Sequence, residues 1–79
     1  MDKNFRLAHL LGPTLRHRRI ELGISEECIL EKFRLKILVI EKNSDLRYNE
    51  LIQLCKHYQW SLSQFFDEVA FLDKIQKMA

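Results

Sequence analysis

Ser25-Glu26-Glu27-Cys28-Ile29-Leu30-Glu31-Lys32-Phe33-Arg34-Leu35-Lys36-Ile37-Leu38-Val39-Ile40-Glu41-Lys42-Asn43 is the stretch on which the fold turns. Ser25 suits a helix N-cap, because its side-chain oxygen can accept an N–H from the next turn. Glu26 and Glu27 complement the positive end of the helix that follows. Ile29, Leu30 and Phe33 supply its apolar positions, so 25–33 reads as a short helix. A second short segment, about Lys36 to Lys42, places Ile37, Ile40 and Glu41 on one side and Leu38, Val39 and Lys42 elsewhere. The β-branched run from Ile37 to Ile40 also permits a strand, but no partner strand is evident and helix is the better reading.

Outward from that stretch the pattern stays helical. Upstream, Phe5, Ala8 (or His9), Leu11, Leu15, Ile20 and Leu22 fall near helical spacing, imperfectly. Gly12-Pro13 interrupts them. Pro13 fits the first turn of a helix running to about Leu22, where its missing N–H is unneeded. The alternative is one longer helix from Asn4, kinked at Pro13. Gly23 supplies a left-handed stop. Downstream, Asn43-Ser44-Asp45 is loop chemistry, and Leu51, Ile52, Leu54, Cys55 and Tyr58 repeat at helical spacing. A break at Gln59-Trp60 precedes Ser61, which forms an S-x-x-Q capping box with Gln64. Phe65, Phe66, Val69, Leu72, Ile75 and Met78 then continue in steps of three to four. The expectation is an all-α domain of five helices.

The chain has 79 residues, room for one domain. A domain this size buries only about 60–65% of its unfolded surface, so its core is economical or shared with a partner. A hydrophobic share of 47% excludes disorder from want of apolar residues. The longest uncharged apolar run, Ile37 to Ile40, is far below the roughly 20 residues that span a bilayer. Met1-Asp2-Lys3-Asn4 lacks the layout of a signal peptide, so a soluble cytoplasmic protein without a membrane partner is expected. Cys28 and Cys55 read as packed thiols, with a disulfide between them the alternative.

The net charge of +2 carries little, but its distribution carries more. Residues 1–22 balance to +3, through Lys3, Arg6, Arg16, Arg18 and Arg19 against Asp2 and Glu21. Glu26, Glu27 and Glu31 make 23–31 a −3 segment. Lys32, Arg34, Lys36, Lys42 and Arg47 against Glu41 and Asp45 return 32–47 to +3. The two basic segments either form a single positive face or are solvated helix surfaces.

Two short helices joined by a brief turn and flanked by core-closing helices form the arrangement of a helix-turn-helix reader. Leu11-Gly12-x-x-Leu15-Arg16-x-x-Arg19-x-x-x-Gly23-Ile24-Ser25 resembles the opening of the Cro and phage-repressor-type (lambda repressor-like) helix-turn-helix family. Ile40-Glu41-Lys42-Asn43 is similar to the end of that family's recognition helix. Leu51-x-x-Leu54-Cys55-x-x-Tyr58-x-Trp60-Ser61-Leu62-x-x-Phe65-Phe66 is similar to its last two helices. The resemblance covers about 11–66 and leaves 67–79 as a C-terminal helical extension. It implies a compact five-helix DNA-binding domain, with Arg19 paired to Glu41. Four features depart from the family, one being that the third helix exposes Leu38 and Val39 where the family tends to show polar side chains that read base edges. From Ser25 to Glu41 the chain is about three residues short, nearly one helical turn. Arg34 and Leu35 stand near the place of the usual small residue in the turn, and Glu26 replaces the Gln that commonly opens helix two.

On that resemblance Lys36, Leu38, Val39 and Lys42 are the candidates for base contact in the major groove. Arg16, Arg18, Ser25, Arg34 and Arg47 are those for phosphate. For each basic residue the alternative is an ordinary solvated side chain, and for Leu38 and Val39 it is core packing in a shortened motif. His9, His17 and His57 lack partners at ligand spacing, so no metal is expected. No nucleophile–base arrangement or Gly-rich phosphate loop is present, and neither an enzyme nor a cofactor is expected. In the tail, Val69, Phe71, Leu72, Ile75 and Met78 either cover the domain's own core or pair a homodimer. The functional expectation is a sequence-specific DNA-binding transcriptional regulator acting as a dimer. The alternative is a degenerate helix-turn-helix that serves as a protein-interaction module, binding or modulating another regulator through Leu38, Val39 and the tail.

Overall fold

A computed structural model of the protein describes residues 7–78. Phe5 and the Asn4 start of a longer first helix lie outside the described residues. A 3-10 turn at Ala8–Leu10 leads into α1 (Leu11–Glu21), followed by α2 (Glu26–Phe33), α3 (Ile37–Asn43), α4 (Tyr48–His57) and α5 (Leu62–Met78). No strand occurs among the described residues. The Ile37–Ile40 run is helical, which sends both end residues into the core. The radius of gyration is 12.0 Å, close to the ~12 Å of a compact chain this long.

Local chemistry sets most boundaries. Pro13 occupies the first turn of α1. Gly23 ends that helix at φ 70°, with Ile24 N–H donating to the Arg19 carbonyl and Gly23 N–H to that of Ile20, both at 3.0 Å. Ser25 Oγ caps α2 by accepting the Cys28 N–H at 3.2 Å. Ser61 and Gln64 bond reciprocally at the start of α5, at 3.1 and 2.9 Å. The ends of α2, α3 and α4 are less comfortable. Arg34, Ser44 and Gln59 take the left-handed conformation there at φ 59°, 53° and 61°, where glycine is the usual occupant.

The core draws on every helix: Leu11 and Leu15, Ile29, Ile37 and Ile40, Leu51, Leu54 and Tyr58, Phe65 and Val69. In α1 the buried line runs Leu11, Leu15, Arg19, so the sequence expectation for Ile20 and Leu22 is corrected. Both are exposed, because Ile20 lies about 100° around the helix from Arg19. The cysteines separate as well: both are free thiols, Cys55 buried as expected and Cys28 exposed.

The junction of α1 with α3 is close enough to require glycine. A Cβ on Gly12 would collide with the Glu41 carbonyl oxygen, and would lie 2.7 Å from the Glu41 carbonyl carbon and 2.8 Å from the Ile40 oxygen. Ser44 fastens the same junction, accepting the Gly12 N–H at 2.9 Å and donating to the His9 carbonyl at 3.0 Å. The end of α3 is thus held against the start of α1.

Candidate nucleic-acid interface

What positions α3 is a buried ion pair. Arg19 Nε donates to Glu41 Oε2 at 2.7 Å and Arg19 Nη2 to Glu41 Oε1 at 3.2 Å, a two-pronged clamp between α1 and α3. Its Nη1 donates to the Ile24 carbonyl at 2.9 Å, tying in the turn before α2. Both side chains are nearly shut off from water. The hydrogen-bonded Glu41 carboxylate raises the pKa of the Arg19 guanidinium above its ordinary value, against the opposing effect of burial. Beside this pair the Tyr58 hydroxyl is buried without a hydrogen-bond partner. Burial, reinforced by the Glu41 charge, pushes that phenol above its ordinary range.

With Ile37, Ile40 and Glu41 turned inward, the opposite side of α3 faces solvent. Leu38 and Val39 are 52% and 51% exposed, which corrects the core-packing alternative for both. Lys42 stands one turn beyond Leu38, and Lys36 sits at the N-cap; both are exposed. Arg34 is exposed in the turn, Arg16 on α1, Ser25 before α2 and Arg47 before α4. Arg47 N–H is engaged by Glu50 Oε1 at 2.7 Å, leaving its side chain on the surface.

Arg18 does not join that set. Its Nε donates to the Tyr58 carbonyl at 3.1 Å, its guanidinium lies 5.0 Å from the centre of the Trp60 ring, and it pairs with Glu21. It ties α1 to the α4–α5 corner, so this candidate phosphate contact is half-buried and already engaged within the protein.

Sequence reasoning missed a groove beside this surface. Leu30, Leu35, Ile37 and Leu38 line a cleft of about 220 Å³ between α2 and α3, with Glu26, Glu27 and Lys36 also in its wall. Leu30 is 48% exposed. Its offset from Ile29 and Phe33, which stand four residues apart on one face, is the signal that could have found it. The tail divides. Val69 is completely buried, taking the core-covering side of the two alternatives, and Leu72 is partly buried against the core. Phe71, Ile75 and Met78 face outward.

Among the described residues no group of three or more His, Cys, Asp and Glu side chains could hold a metal ion, and no helix is long and apolar enough to cross a membrane. No protein-family model matches this chain, and neither does any curated protein or solved structure.

Proposed function

We propose that the protein is a sequence-specific DNA-binding transcriptional regulator of the cytoplasm, acting as a homodimer, with α2, its turn and α3 as a helix-turn-helix. The observation that carries this reading is the outward face of α3. Lys36, Leu38, Val39 and Lys42 are presented on a helix whose other face is locked to α1 by the Arg19–Glu41 clamp. The two lysines would donate to acceptors on base edges, while Leu38 and Val39 would pack on thymine methyl groups. Arg16, Arg34, Arg47 and the Ser25 hydroxyl would hold phosphates. Regulation would follow from occupying an operator, without cofactor or chemistry. The test is fluorescence anisotropy of labelled duplexes at two salt concentrations, comparing random DNA with DNA from upstream of the protein's own gene. Tight, sequence-preferring binding that weakens steeply with salt supports the proposal. Absence of binding at low salt contradicts it.

A second reading is favoured by the groove: a protein-interaction module that keeps the fold and captures another protein on Leu30, Leu38 and Val39. Glu26 and Glu27 at that groove would repel phosphate and suit a cationic partner. On this reading Leu38→Asp abolishes partner capture with the helical content unchanged. On the first reading that variant weakens DNA binding.

A further inference from the structure

We infer that two copies of this chain pair α5 against α5, antiparallel, about a two-fold axis at Phe71; this rests on the homodimer reading above and adds its geometry. Phe71, Ile75 and Met78 are 56%, 45% and 79% exposed. They fall at i, i+4 and i+7 on one face of α5, turned away from the buried Phe65 and Val69. Two large residues of that stripe are unbranched or aromatic, suited to packing across a symmetric contact.

The order of charges along α5 selects both the occupant and its direction. Asp67 and Glu68 precede Phe71, and Lys74 follows it. Asp67 and Lys74, seven residues apart, stand on the same flank of the stripe, about 20° apart around the helix, four residues before Phe71 and three after it. An antiparallel two-fold near Phe71 therefore brings Lys74 of each copy to within one residue of level with Asp67 of the other, on the same side of the seam, while Glu68 lies on the opposite flank. Parallel pairing would instead put Asp67 and Lys74 of the two copies on opposite sides of the seam, where this match is lost. Lys77 is bridged to Asp73 within its own helix at 3.1 Å and does not compete. A stripe whose charges complement its own reverse is what an isologous contact requires.

Sedimentation equilibrium of the full chain tests this, with circular dichroism to verify folding. The wild type is expected to dimerise. Phe71→Asp should raise the dimer Kd by at least ~100-fold at unchanged helicity. Ile75→Lys, nearer the end of the helix, serves in its place should Phe71→Asp unfold. Asp67→Lys and Lys74→Glu should each weaken the dimer roughly tenfold, and the two together should restore it. A wild type still monomeric at about 500 μM overturns the proposal. So does a dimer indifferent to both apolar variants, and a double charge reversal as weak as the single ones overturns the antiparallel arrangement. None of these outcomes reads DNA affinity, so the dimer and the DNA reading fail separately.

Discussion

Glu41 places a carboxylate where water scarcely reaches, and Arg19 reaches across from α1 to meet it with two hydrogen bonds. Removing one partner leaves the other's charge buried and unmatched. Glu41→Ala and Arg19→Ala are each expected to destabilise the fold by about 3–5 kcal/mol. The double variant should lose distinctly less than the sum, in urea unfolding analysed as a mutant cycle. Tyr58 makes the opposite case. Its hydroxyl is buried with no hydrogen-bond partner, so Tyr58→Phe should be neutral or stabilise by up to about 1 kcal/mol. A loss of comparable size would show that the hydroxyl is bonded in solution. The clamp was not legible from spacing, since 22 residues separate its members. Only the resemblance to the helix-turn-helix family pointed to it. The internal contacts of Arg18 were not legible for a related reason. A cation on a helix gives no local sign that a Trp ring and a carbonyl from the α4–α5 corner await it.

At the scale of elements, the sequence was most readable where local chemistry fixes a helix end. Ser25, Gly23, Ser61 and Gln64 announce their caps because the bonds span three or four residues. Faces of helices were less readable. Ile20, Leu22 and Leu30 are apolar yet exposed, and Arg19 occupies a buried position, because only tertiary contact decides which stripe turns inward. The left-handed ends give a paired expectation. Gln59 ends α4 at φ 61° with Trp60 N–H donating to the Cys55 carbonyl at 2.8 Å, the geometry that Gly23 adopts after α1. Gln59→Gly should therefore stabilise by a few tenths to about 1 kcal/mol, relief of left-handed strain outweighing the entropy of glycine. Gly23→Ala should destabilise by about 1 kcal/mol, although open space surrounds the position. Thermal unfolding checks both, and equal signs would contradict the account.

Across the whole molecule, α2 meets α4 through Phe33 and His57, whose rings stack edge to face with centroids 5.2 Å apart. Burial, and then the positive charge of Lys32, lower the His57 pKa below its ordinary value. Lys32 Nζ lies 3.4 Å from His57 Nδ1, the geometry of a neutral imidazole accepting from an ammonium. The folded state thus binds the His57 proton less readily than the unfolded chain. Stability from this group is complete above the unfolded value near 6.5 and is lost as pH falls through the folded one. Urea midpoints should decline from pH 7.5 to 5, and His57→Gln should reduce that decline. An unchanged slope would place the titration elsewhere. The five-helix fold was legible at this scale, as was the tail's excess of apolar residues. That Val69 and Leu72 turn inward while Phe71, Ile75 and Met78 turn outward follows from how α5 lies on the core, which no local pattern records.

The proposed reading of DNA by the outward face of α3 is decided by one titration. Anisotropy of a duplex from upstream of the gene would be measured against the wild type and the Lys36→Ala/Lys42→Ala double variant, with helicity monitored in parallel. Equal helicity and an affinity lower by roughly 10–100-fold are expected for the double variant. DNA binding that is tight in the wild type and untouched in the double variant would contradict it.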